Sequence, residues 1–223
     1  MPTDIRLATE ADAAQMLAIY APFVRESPIS FEVAPPTVAE FRTHVADTLE
    51  SLPWLVCDAG GVVVGFAYAA RHRPREAYQW SADCSVYVHA DHRGRGVGRA
   101  LYTSLFAGLR VPGYYNVYAG ITLPNAPSVA LHEALGFVAV GVYASVGYKM
   151  GAWHDVGWWG LALREHGPVE AAPRPLGDIV GTPQWREALA EGARLLSPDA
   201  GTASPGSTPP GRPRPALGPA DDR

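Results

Sequence analysis

Val86-Tyr87-Val88-His89-Ala90-Asp91-His92-Arg93-Gly94-Arg95-Gly96-Val97-Gly98-Arg99-Ala100-Leu101 reads as a strand, a glycine-rich basic turn and the start of a helix. Apolar residues lead up to Val88, and Val97, Ala100, Leu101, Leu105 and Leu109 then recur at helical spacing. Such a turn aims several backbone N–H groups at one point before a helix N-terminus, where a phosphate or pyrophosphate binds. Gly96 and Gly98 remove side chains where a ligand must approach. Arg93, Arg95 and Arg99 add positive charge, and Gly94 and Val97 complete the turn. A P-loop needs Lys-Ser or Lys-Thr after its last glycine, but Arg99-Ala100 follows here. A dinucleotide fingerprint needs G-x-G-x-x-G, which Gly94, Gly96 and Gly98 do not provide. Two readings stay open: an R-x-x-G-x-G pyrophosphate loop on Arg93, Gly96 and Gly98, or a structural glycine turn with solvated arginines.

Outward from this turn the chain alternates between strand and helix signals. Ile5-Arg6-Leu7 is a short strand, and Thr9 with Asp12 forms a capping box ahead of Ala13, Met16, Leu17, Tyr20, Phe23 and Val24. Thr37 and Glu40 form a second box before Phe41, Val45, Leu49 and Leu52. Residues 54–58 and 62–68 flank Ala59-Gly60-Gly61 as a hairpin, and residues 83–89 form another strand. Tyr115, Val117, Ala119 and Ile121 alternate as a strand, Asn125 caps a helix that ends at Gly136, and residues 138–146 and 156–163 are two further strands. The order β-α-α-β-β-β-α-β-α-β-β predicts an α/β (α+β) domain with a mixed, mostly antiparallel sheet of about seven strands.

The 223 residues suit one domain plus a tail, and 48% hydrophobic content suffices for a core. A net charge of -4 gives no reason to expect nucleic acid. No run approaches the roughly 20 apolar residues of a membrane helix, and no signal peptide is visible at Met1–Glu10. Cys57 and Cys84 sit in apolar segments and read as buried free thiols in a reducing cytosol. His89 and His92 lie three apart in a loop with no third ligand, so no metal site is expected. The expected domain is residues 1–166. Residues 167–223 read as a Pro/Gly/Ala-rich tail, mostly disordered, with one possible short helix over 184–196 carrying Trp185, Leu189, Leu195 and Leu196.

The element order, the R-x-x-G-x-G turn and the helix from Asn125 to Leu135-Gly136-Phe137 resemble the GNAT acetyltransferases, which bind acetyl-CoA. Most of these have a tyrosine where His132 stands. Within them the chain resembles the phosphinothricin N-acetyltransferase family. The likeness rests on IRLATEAD (5–12), PWLV (53–56), YQWSADCSVYV (78–88), Leu101-Tyr102-Thr103, Leu123-Pro124-Asn125, Pro127-Ser128-Val129, HEALG (132–136) and GYKMGAWHDVGWW (147–159).

The resemblance implies acetyl transfer from acetyl-CoA, the co-substrate, to the α-amine of a small glutamate-like acid, phosphinothricin or methionine sulfoximine being the types. It implies no metal, a cytoplasmic enzyme and a homodimer. It places a carboxylate general base at Asp83, one methylene shorter than the family's glutamate, and a histidine assisting proton transfer at His132. Acetyl-CoA contacts fall on Val86, Tyr87, Val88, the turn Arg93–Arg99 and Asn125. Substrate contacts fall on Phe31, Arg73, Arg75 and Tyr78, with Arg73 replacing a lysine. Alternatives are acetylation of another metabolite amine, or a non-catalytic acetyl-CoA sensor. Trp153, Trp158 and Trp159 read as core and dimer packing.

Overall fold

Both capping boxes form. Asp12 accepts the Thr9 N–H at 2.8 Å and its hydroxyl at 3.0 Å, and Glu40 accepts the Thr37 N–H at 2.7 Å. Arg6 grips Asp12 through two 2.8 Å bonds and holds its carboxyl at about 2, below the usual carboxylate range. The computed structural model describes residues 3–169 and 171–196.

The elements are β1 (Thr3–Leu7), α1 (Ala13–Glu26), α2 (Val38–Leu49), β2 (Trp54–Ala59), β3 (Val63–Arg71), β4 (Ser81–Val88), α3 (Val97–Arg110), β5 (Asn116–Leu123), α4 (Ala126–Ala134), β6 (Val138–Lys149), β7 (Ala152–Ala162) and α5 (Pro183–Ala193). The seven strands form one open sheet in the order β1-β2-β3-β4-β5-β7-β6. Every pairing is antiparallel except β4 with β5. The expected order and mixed sheet are therefore present, and the last two strands run longer than their apolar cores.

Alternating side chains give the sheet two packed faces. On one, Leu55, Val64, Leu101, Leu105 and Val117 pack under α3. On the other, Met16, Val45, Trp54 and Phe66 pack under α1 and α2.

The folded unit does not end at residue 166. Leu176, Ile179, Trp185 and Ala188 are buried, and α5 lies along α3, where Ser104 Oγ donates to Leu189 O at 2.7 Å. A Cβ at Gly192 would stand 2.0 Å from Ala100 O, so only glycine lets the two helices approach this closely. The reason lies in α3. Its buried set runs from Val97 nearly all round the helix and includes the small residues Ala100, Ser104, Ala107 and Gly108. A helix apolar on both faces needs a second cover. The expectation of disorder over residues 197–223 lies outside the described residues.

Candidate active site

The one parallel pairing is short. Ser81, Ala82 and Asp83 pair with Asn116, Val117 and Tyr118, and beyond Asp83 the two strands part. Their parting leaves a cleft. Its walls are Cys84–Tyr87 from β4 and Ala119–Thr122 from β5, with Tyr102 of α3 and Asn125, Ser128 and His132 of α4 closing it.

Strand alternation decides which backbone groups serve the cleft. The His89 N–H points to β3, bonding Val64 O at 2.9 Å. The N–H groups of Val88 and Val86 therefore point the opposite way, toward the side β5 has vacated. Tyr87 turns its backbone to β3, opposite Phe66, and its ring packs edge-on against Tyr20 and Phe23. It supplies a wall of the cleft, whereas Val86 and Val88 supply donors.

At the mouth of the cleft, Gly96 sits at φ 81° immediately before α3, with open space where a Cβ would go. Its requirement is the left-handed backbone that turns the loop's N–H groups outward. Gly98 lies in the first turn of α3, facing Leu131, Val88 and Val86. Arg93 does not reach outward. Its Nε donates to Val88 O at 3.4 Å and its guanidinium lies 4.9 Å over Phe23. Through these contacts it ties the loop to β4 and α1, although Arg93, Arg95 and Arg99 are all exposed. Asn125 caps α4, accepting the Ser128 N–H at 3.3 Å. Gly96→Val is expected to weaken acetyl-CoA binding at least tenfold, because a β-branched residue resists the positive φ that turns the loop's N–H groups outward, and to lower the melting temperature by less than it lowers affinity. Calorimetric titration of the folded variant checks this, and unchanged affinity would remove the turn from the site.

Asp83 stands at the fork, the last residue of β4 paired with β5. Burial raises its pKa, and a hydrogen bond from His72 opposes the rise. That bond, Nδ1 to Oδ1, is 2.6 Å long. The His72 ring stacks on Tyr118 at 4.6 Å and stands edge-on to Tyr78 and Trp158. Arg73 lies 5.8 Å over Trp158, so Arg73, Tyr78 and Asp83 all lie around the His72 ring and its Trp158 neighbour. Arg75 is exposed and precedes the short 3-10 turn Glu76–Tyr78. Sequence reasoning passed over His72. The available signal was a second titratable residue on the loop that faces the expected base.

Next to this group lies an open pocket between Phe31, Thr122, Tyr143, Val156 and Trp158. Phe31 packs so closely over Gly147 that a Cβ there would overlap its ring. The sole lysine locks this wall in place. Lys149 Nζ is buried and donates to Val24 O at 2.7 Å and Ser30 O at 2.6 Å, tying the segment before Phe31 to β6. Trp159 is buried, and Trp153 is exposed.

His132 is elsewhere. It is 3% exposed, with Nδ1 2.7 Å from Ser128 O and Nε2 3.2 Å from the Tyr102 hydroxyl. A carbonyl can only accept, so Nδ1 carries the hydrogen and Nε2 accepts from Tyr102. Burial lowers its pKa and favours this neutral form. Asp83 and His132 do not meet: alternation puts Asp83 on the α1–α2 face of β4, whereas His132 packs with Tyr102 on the α3 face.

Residues 5–158 match the family model of the acetyltransferase (GNAT) domain. The phosphinothricin N-acetyltransferase of Streptomyces viridochromogenes is 41% identical over 175 residues, covering 78% of this chain and 93% of that protein. The L-methionine sulfoximine/L-methionine sulfone acetyltransferase of Salmonella typhimurium is 34% identical over 178 residues, covering 75% and 98%. The crystal structure of a phosphinothricin acetyltransferase from Sinorhizobium meliloti in complex with AcCoA superposes with a TM-score of 0.72 at 32% identity, covering 77% of this chain and 96% of that one. With the splayed β4–β5 pair and the glycine turn already in place, the matches identify an acyltransferase: the chain belongs to the phosphinothricin N-acetyltransferase family of the GNAT superfamily.

Proposed function

We propose that this protein acetylates the α-amine of a small glutamate-like amino acid of the phosphinothricin or methionine sulfoximine type, with acetyl-CoA as donor and Asp83 as the carboxylate of the proton-accepting centre. The observation that carries the reading is the position of Asp83. It lies at the fork of β4 and β5, one residue before the cleft wall begins at Cys84, and its partner His72 stands edge-on to Trp158, which lines the aromatic pocket and lies under Arg73.

The residues present fit acetyl-CoA. Gly96 and Gly98 keep the mouth of the cleft open, Arg95 and Arg99 bring positive charge, and Asn125 lines the wall. Bound there, acetyl-CoA supplies an acetyl group activated as a thioester. The Val86 and Val88 N–H groups are directed to hold negative charge developing on an acyl oxygen. An amine attacks only as the free base, and Asp83 drives removal of the ammonium proton. Arg73 offers a planar fork to an acid group. His132, neutral and doubly hydrogen-bonded, maintains the α3–α4 contact rather than serving as base. Neither buried cysteine is needed, since burial pushes both thiols up to about 12.

Thiol release from acetyl-CoA across a panel of amino acids tests this reading. Turnover confined to glutamate-like acids supports it, turnover with unrelated amines favours a different metabolite substrate, and no turnover with retained acetyl-CoA binding favours a sensor. Arg73→Ala is expected to raise KM for the acidic acceptor about 10- to 100-fold, as loss of a charge-assisted contact does, and to leave acetyl-CoA affinity unchanged. Equal losses for both ligands would show that Arg73 acts through the fold.

The protein is further proposed to be a cytoplasmic homodimer. Supporting the dimer, edge strand β6 exposes Val138, Val140, Val142, Val146 and Tyr148, an apolar strip that a second copy would cover. Sedimentation as a monomer at micromolar concentration would overturn it.

A further inference from the structure

We infer that His72, not Asp83 itself, takes the proton from the substrate ammonium, and that Asp83 is the group that orients and charges His72. The inference rests on the function proposed above and adds a catalytic residue to it.

Asp83 carries a short side chain whose Oδ1 is already committed at 2.6 Å to His72 Nδ1. With the carboxylate ionised, Nδ1 must carry the hydrogen, which leaves the Nε2 lone pair as the base. Nε2 has no hydrogen-bond partner among the described residues. The ring cannot turn freely, because it lies flat on Tyr118 and is walled edge-on by Tyr78 and Trp158. Trp158 also lines the pocket that holds Phe31, so the imidazole stands beside the proposed acceptor pocket. A carboxylate orienting an imidazole whose far nitrogen is free is the arrangement that makes histidine a general base.

The bookkeeping is simple. One proton passes from the substrate ammonium to His72 Nε2, and the resulting imidazolium is stabilised by Asp83. The amine lone pair forms the N–C bond, and the C–S bond breaks with its electron pair going to sulfur. Sulfur ends as the thiol with the second amine proton, and His72 returns its proton to water. The charged and titratable groups facing the ring are Asp83 from β4, Tyr118 from β5, Tyr78 from the 3-10 turn and Arg73 beside it in the chain. Trp158 from β7 carries none.

His72→Asn separates this from a structural role. The amide can still donate to Asp83 but offers nothing at the Nε2 position. His72→Phe keeps the ring stack and serves if His72→Asn does not fold. With phosphinothricin as acceptor, each variant is expected to lose roughly 10²–10³ in kcat/KM at neutral pH. The deficit should shrink at high pH, where the amine arrives deprotonated. Acetyl-CoA affinity should hold. If His72→Asn keeps kcat/KM within about threefold while Asp83→Asn is impaired, the inference is overturned and Asp83 is the direct base. If Asp83→Asn is equally active, the proposed role of Asp83 falls as well.

Discussion

Asp83→Asn is expected to fold, to bind acetyl-CoA normally and to lose about 10²–10⁴ in kcat at neutral pH, the loss expected when the His72–Asp83 proton-accepting pair is disabled. The change is nearly isosteric. It leaves a group that can still hydrogen-bond His72, but removes the charge that fixes the imidazole tautomer and stabilises its protonated form. The pH dependence follows from the site. Burial raises the Asp83 pKa and His72 only partly opposes it. The wild-type rate should therefore fall as pH drops through a value above the ordinary carboxylate range, and the variant should lack that limb. Raising the pH should recover part of the variant's rate, since more substrate is then already free amine. An Asp83→Asn enzyme with near-normal kcat at pH 7 would remove Asp83 from the chemistry. His132→Ala provides the contrast. It should cost stability by breaking the bonds to Ser128 and Tyr102, while leaving the recovery of rate at high pH as in the wild type.

Trp185→Ala is the largest stability effect expected, about 3–5 kcal/mol for a buried tryptophan cut to alanine. That corresponds to a fall of roughly 10 °C in melting temperature for a chain of this size. Trp185 is 3% exposed and its ring rests on Gly108, where a Cβ would lie 2.9 Å from the indole. Its removal leaves a void between α5 and α3, against the same helix whose first turn carries Gly98 and Arg99. Acetyl-CoA binding should therefore loosen as well. Scanning calorimetry checks the first effect, and a change under about 2 °C would show that α5 contributes little to the fold.

Local sequence determined the parts of this protein governed by neighbours in the chain. The boxes Thr9–Asp12 and Thr37–Glu40, the hairpin at Gly60-Gly61, the turn Arg93–Gly98 and the Asn125 cap are satisfied within a few residues, so spacing alone revealed them. The resemblance then supplied Asp83, Arg73, Tyr78 and Phe31, and the fold does gather these on one side of the β4–β5 fork. What lay beyond the sequence depended on groups far apart in the chain. Whether residues 176–196 dock was decided by the unused apolar face of α3, some 80 residues earlier. The partner of Lys149 is the carbonyl pair of Val24 and Ser30, which no spacing could name. His132 and Asp83, paired as catalytic candidates in sequence, are separated by the pleat of the sheet, because a strand sends alternate side chains to opposite faces. The same pleat sets Asp83 and the loop after β3 on one face, where His72 closes a 2.6 Å bond that turns a short carboxylate into half of a proton-accepting pair.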